Sequence, residues 1–284
     1  MKRIFTIFII LVCSYLLFTG VGSWLSFGGS TNEASLSKRT NTISIDVSSS
    51  DTVIISEERN DVRAELDGKG KVNVIKSGNE IRVEYKRKWL DGFQFFNSKS
   101  NLKIYIPEDF NKSMSFDIGS GRLNFAGESE SKPFELESLD VNMSSGKVRL
   151  ANIKTDEFEH EGSSGMMEAD HLFARSGEID MSSGKVKLRN YQGKLDAGVS
   201  SGQLDIMIGK LIDSIKVEAS SGFVRLDLPD DADFTLKGKA SSGHISSDFE
   251  LDDERRDKND ISGKHGSGEH DIRISVSSGT AEVN

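Results

Sequence analysis

Two stretches of this chain carry residues of the type and spacing that do chemistry. Gly198-Val199-Ser200-Ser201-Gly202 matches a nucleophile elbow, in which a serine at a strand-to-helix turn attacks an acyl carbon. His265-Gly266-Ser267-Gly268-Glu269-His270 offers two imidazoles and a carboxylate, donors that suit a divalent metal. Asp and Glu on outward strand positions suit sugars or Ca²⁺, but no Gly-Gly-x-Gly-x-Asp repeat of the calcium-binding type accompanies them. The lone Cys13 leaves the rest of the chain without a thiol, which excludes a disulfide, a thiolate metal site or a cysteine nucleophile there. There is no P-loop, no dinucleotide fingerprint and no convincing pair of catalytic carboxylates.

The elements that would have to position these residues argue against catalysis. Ser200 occupies a slot that recurs as a Ser-Gly or Ser-Ser-Gly turn around Gly121, Gly146, Gly165, Gly184, Gly202, Gly222, Gly243 and Gly279. At Gly184, Ile179 and Met181 precede at minus five and minus three, and Val186 and Leu188 follow at plus two and plus four. The same offsets hold apolar residues around most of the other glycines, with Gly165 and Gly243 the weaker copies. This is an alternating strand, a turn and a second alternating strand, without the helix an elbow needs. Successive glycines from Gly146 to Gly243 lie 18 to 21 residues apart, close to one coil of a parallel β-solenoid. The expected fold is therefore all-β, a β-helix of about eight Ser-Gly-turn coils over 113–284, with the glycines taking positive φ at each corner and the serines bonding nearby backbone. His160 falls on an inward position and is expected to bond inside the core. The charged stretch 248–271, with Asp252-Asp253-Glu254-Arg255-Arg256-Asp257-Lys258, reads as a solvated loop.

The remainder divides by composition. Residues 1–28 run almost without charge after Lys2 and Arg3, which predicts either a transmembrane anchor with the bulk of the chain extracytoplasmic or a cleaved signal peptide ending near Val21-Gly22-Ser23. Residues 29–41 read as a polar linker, and 42–112 as a strand-rich cap. Within the cap, Trp89, Phe93, Phe95 and Phe96 follow Lys86, Arg87 and Lys88, a candidate interaction loop for lipid headgroups, wall polymer or a protein, or else a local aromatic core. A net charge of −9 argues against nucleic-acid binding.

A strand ending in Ile106-Pro107, repeated Ser-Gly turns, and Val224-Arg225-Leu226-Asp227-Leu228-Pro229 followed by Phe234-Thr235-Leu236 and Ser241-Ser242-Gly243-His244-Ile245 resemble the bacterial "putative adhesin" domain family of β-helical proteins. With the N-terminal apolar segment, the layout is similar to LiaG-type cell-envelope proteins encoded beside an envelope-stress signalling system. The family has no established active site, so the resemblance carries over no catalytic residue, and no cofactor is expected. The resemblance leads to the expectation of a membrane-anchored binding or scaffold module at the cell envelope, not an enzyme, with wall polymer or a membrane protein as partner and an open oligomeric state. The alternatives are a polysaccharide-acting enzyme on a β-helix and a self-assembling surface scaffold.

Overall fold

The computed structural model describes residues 32–87 and 100–284. The expected anchor 1–28 and the aromatic loop of Trp89, Phe93, Phe95 and Phe96 lie outside the described residues. No helix among the described residues is long and apolar enough to cross a membrane. All the described strands join in one sheet that is mostly parallel.

The coil follows from residue alternation. Lys147–Gly162 pairs in parallel with Met166–Ile208, Val148 opposite Met167 and Phe158 opposite Gly177. The pairing skips Asn152 opposite His171 and Asp156 opposite Arg175, so a coil has three short sides. Asn152, His171 and Asn190 have φ of 53°, 51° and 53°, and they turn the second corner of consecutive coils. Asn and His tolerate this left-handed conformation better than β-branched residues do. Phe116, Phe125 and Phe134 show the sides meeting in one interior, with ring centroids 5.8 Å apart for the first pair and 5.0 Å for the second. Inward positions are apolar almost throughout, from Ile43 to Val283.

The coils do not stack in chain order. Thr42–Val47 lies between Glu80–Lys86 and Ser113–Ile118, and Asp51–Glu57 lies between Asn101–Pro107 and Arg122–Ala126, all in parallel. The stretch expected as a cap thus supplies two further coils, the later one outermost. At the other end, Ile272 of the last coil sits between Ile215 and Leu236, and Thr280 sits between Phe223 and His244. The C-terminal coil is inserted one place in from the end, so Gly279 stacks between Gly222 and Gly243 instead of following Gly243.

Antiparallel strands close both ends. Asp61–Asp67 covers Asn101–Pro107, and Lys71–Ser77 covers Glu80–Lys86. The expected linker contributes Glu33–Ser35, which pairs with Asp61–Asp67. An edge strand recruits backbone whatever its side chains, which is why polar composition misled there. The charged stretch 248–271 is likewise corrected: Asp260–His265 pairs antiparallel with Phe234–Ala240, and Asp252–Asp257 with Asp260–His265. All six residues of Asp252–Asp257 are exposed, so charge faces water along that edge.

Candidate functional site

Three features are candidates: the Ser-Gly corner, one acidic face and the turn at His265 to His270. At the corner, a Cβ on Gly146, Gly165, Gly184, Gly202, Gly222, Gly279 or Gly243 would sit 2.0 to 2.7 Å from the carbonyl oxygen of the glycine in the adjoining coil, and one on Gly121 would sit 2.3 Å from Ser50 O. Of these only Gly165 and Gly184 have positive φ, at 102° and 108°. Close backbone approach, more than the expected left-handed φ, is what requires glycine. The ladder continues through the turn: Ser164 N donates to Ser144 O at 2.9 Å, and Met166 N to Gly146 O at 3.1 Å. The Ser164 hydroxyl bonds Ser144 O at 3.3 Å and the Ser120 hydroxyl bonds Ser48 O at 3.3 Å. Ser200 lies in the same ladder, its carbonyl accepting from Ser221 N at 2.8 Å, inside a strand run. The elbow match is a corner.

The acidic face emerges from register. Asp140, Glu159 and Glu178 form one outward row, and Asp117, Asn142, Glu161 and Asp180 the next. Asp180 Oδ1 also abuts Gly198, which aligns with Glu218. Among the described residues no salt bridge reaches Asp140, Glu159, Glu161, Glu178 or Asp180. Partial burial, then neighbouring carboxylates, push Asp140, Glu159 and Asp180 above the ordinary carboxylate range. By contrast, the outward groups of the side after the glycine corner are paired: Lys147 and Arg149 with Glu168, Lys185 and Lys187 with Asp205, Arg189 with Asp170. A shallow depression there is lined by Arg149, Glu168, Asp170 and Arg189 over Phe125 and Leu150.

A pH dependence follows. A carboxylate whose folded pKa is raised contributes stability that is present below its unfolded pKa and lost as pH rises through the folded value. Glu159→Gln is therefore expected to raise the melting temperature at pH 8, with a gain below about 1 kcal/mol because water screens this face. Melting curves at pH 8 and pH 4 should show that gain vanish at pH 4 and shrink in high salt. His160 runs the other way. Burial pushes its pKa down to about 4, so it contributes stability above pH 6.5 that is lost as pH falls toward 4.

The C-terminal turn is held by its own carboxylate. Asp233 accepts from Ser267 Oγ at 2.7 Å, Gly268 N at 2.5 Å and Glu269 N at 2.8 Å. These donors, led by the Glu269 amide, hold its pKa down to about 2. His265 bonds Glu250 O through Nδ1 at 3.0 Å and packs against Phe234 and Phe249. Among the described residues, no three of His, Cys, Asp and Glu gather as a metal site. The turn seats the inserted coil, and Asp233 was the residue that sequence reasoning missed; the Gly-Ser-Gly run was its signal. Since a lowered carboxylate pKa contributes stability above the unfolded value that is lost as pH falls through the folded one, Asp233→Asn should lower the melting temperature at pH 6, and the two proteins should converge near pH 2.

The sequence matches a family model described as Toastrack DUF4097 over residues 40–284. A crystal structure titled "putative adhesin" from Parabacteroides distasonis is 13% identical with a TM-score of 0.52, covering 89% of this chain and 95% of that one. This likeness concerns the fold. A "putative adhesin" from Bacteroides fragilis is 11% identical with a TM-score of 0.48, and a "putative lipid binding protein" from P. distasonis is 15% identical with a TM-score of 0.43; each covers 89% of this chain and 95% of the other. No match was found among curated proteins.

Proposed function

The chain belongs to the Toastrack DUF4097 family, and from that premise we propose that it is a membrane-anchored, extracytoplasmic binding or scaffold module of the bacterial cell envelope, without enzymatic activity. The observation that carries this reading is the outward face on which Asp140, Glu159, Glu161, Glu178 and Asp180 stand in register without a salt bridge among the described residues. Carboxylates about 4.8 Å apart along each row suit an extended partner carrying repeated cationic groups better than a small substrate. The ladder fixes the backbone that carries these side chains, so binding would have to order side chains only. Self-assembly through the ends is the weaker reading, because charged antiparallel strands cover them.

Cross-linking in intact cells followed by capture of the tagged chain tests the proposal. The expected result is a defined envelope polymer or membrane protein whose recovery is lost in a Glu159→Lys, Asp180→Lys double variant and lowered in a Trp89→Ala, Phe93→Ala, Phe95→Ala triple variant. Equal recovery from all three proteins would sink the reading. Labelling of an introduced surface cysteine by an impermeant reagent locates the domain, and protection in intact cells would refute an extracytoplasmic position.

A further inference from the structure

His160 is fully buried, in a row between Val141 and Ile179. Its Nδ1 lies 2.9 Å from Val141 O. A carbonyl only accepts, so Nδ1 carries the hydrogen and Nε2 of the neutral ring presents a lone pair. Nε2 has no hydrogen-bond partner, an omission that buried polar atoms seldom show without a reason.

Two residues along, inward Gly162 replaces the side chain that most coils carry there, and it stands in register between Met143 and Met181, both buried. A Cβ on Gly162 would lie 2.5 Å from Met181 Cε, 2.6 Å from Met181 Sδ and 3.3 Å from His160 Nε2. The thioether end of Met181 therefore packs into the space that Gly162 leaves, beside the free imidazole nitrogen. Met143 stands opposite Gly162 in the other neighbouring coil. The thioether donor favours a soft monovalent d¹⁰ ion: Zn²⁺ accepts imidazole but is held by three or four nitrogen, thiolate or carboxylate donors, and Mg²⁺ and Ca²⁺ need several hard oxygens. Methionine's three rotatable bonds let the sulfur turn a lone pair toward such an ion without moving the backbone.

We propose that His160 and Met181, with Met143 as third donor, form an interior binding site for Cu(I) or a like soft monovalent cation. The site is independent of the acidic face: it lies on the inward side of the same strands and uses no carboxylate. Entry requires a local opening of the coil 147–162.

The full chain with Cys13→Ser, purified in detergent, removes the thiol that would compete. Titration with Ag(I), which undergoes no redox change, and with Cu(I) buffered by a chromophoric chelator should each give one ion per chain. The ¹⁵N resonance of His160 Nε2 and the methyl resonance of Met181 should shift on binding. His160→Leu should weaken binding more than about 100-fold, beyond the loss typical of an outer-sphere partner. Met181→Leu keeps the volume and removes the sulfur, so the fold survives it and the weakening reports the donor. Unchanged affinity in His160→Leu, or a His160 Nε2 resonance that ignores Ag(I), overturns the site. Should His160→Leu fail to fold, the Met181→Leu protein decides: an Ag(I) affinity equal to that of the parent overturns the paired donor set.

Discussion

Gly184→Ala is expected to lower the unfolding free energy by about 2–6 kcal/mol. Its φ of 108° is strained for any L side chain, at about 1–3 kcal/mol. The new Cβ would also meet Gly165 O at 2.4 Å, an overpacking of backbone against backbone that costs about 1–3 kcal/mol more. Gly78 provides the internal control. Its φ is 62°, yet a Cβ there meets nothing within 4 Å, so Gly78→Ala should cost only the left-handed strain, about 1–2 kcal/mol. Denaturant melts of the two variants separate conformational strain from close approach. Similar losses at both sites would show that the carbonyl ladder is not what demands glycine. The proposal that the serines act as corners rests on the same geometry, and Ser200→Ala should be far milder than either glycine change.

Ile274→Asp is the second large effect. Ile274 is 1% exposed and pairs with Val217 on one side and Gly238 on the other. A carboxylate at this place has no partner and must either remain charged in an apolar interior or take a proton, and the cost should exceed about 4 kcal/mol. Hydrogen exchange gives the more telling readout. Because the last coil is wedged between its neighbours, amides of Ile215–Ala219 and of Phe234–Ala240 should lose protection together. In a stack built in chain order, the coil starting at Ile215 would border the one starting at Phe234 and be spared the direct loss. Protection retained in Ile215–Ala219 would contradict the inserted order.

Much of the candidate site was written in the repeat. The corner glycines, the inward His160 and the mismatch between Ser200 and an elbow all follow from counting offsets, since a strand's side chains alternate with a period of two. The acidic face was present in the same offsets, at minus four and minus six from Gly146, Gly165 and Gly184, but a single coil shows only one or two carboxylates. Their common field and raised pKa values arise when register brings successive coils together. Asp233 reached its three donors across more than thirty residues, a distance no local pattern reports.

By itself, then, the sequence determined an all-β chain of coils with apolar interiors and glycine corners, because alternation and turn chemistry are local. Tertiary structure decided the order of the coils, and the reason is degeneracy: every coil presents nearly the same inward offsets, so many orders satisfy the pattern equally. The choice falls to side-chain fit between particular neighbours, to the reach of the connecting segments and to the need to cover two open edges. Charged Asp252–Asp257 and polar Glu33–Ser35 became strands on that last ground, since backbone hydrogen bonds at an edge ask nothing of side-chain polarity.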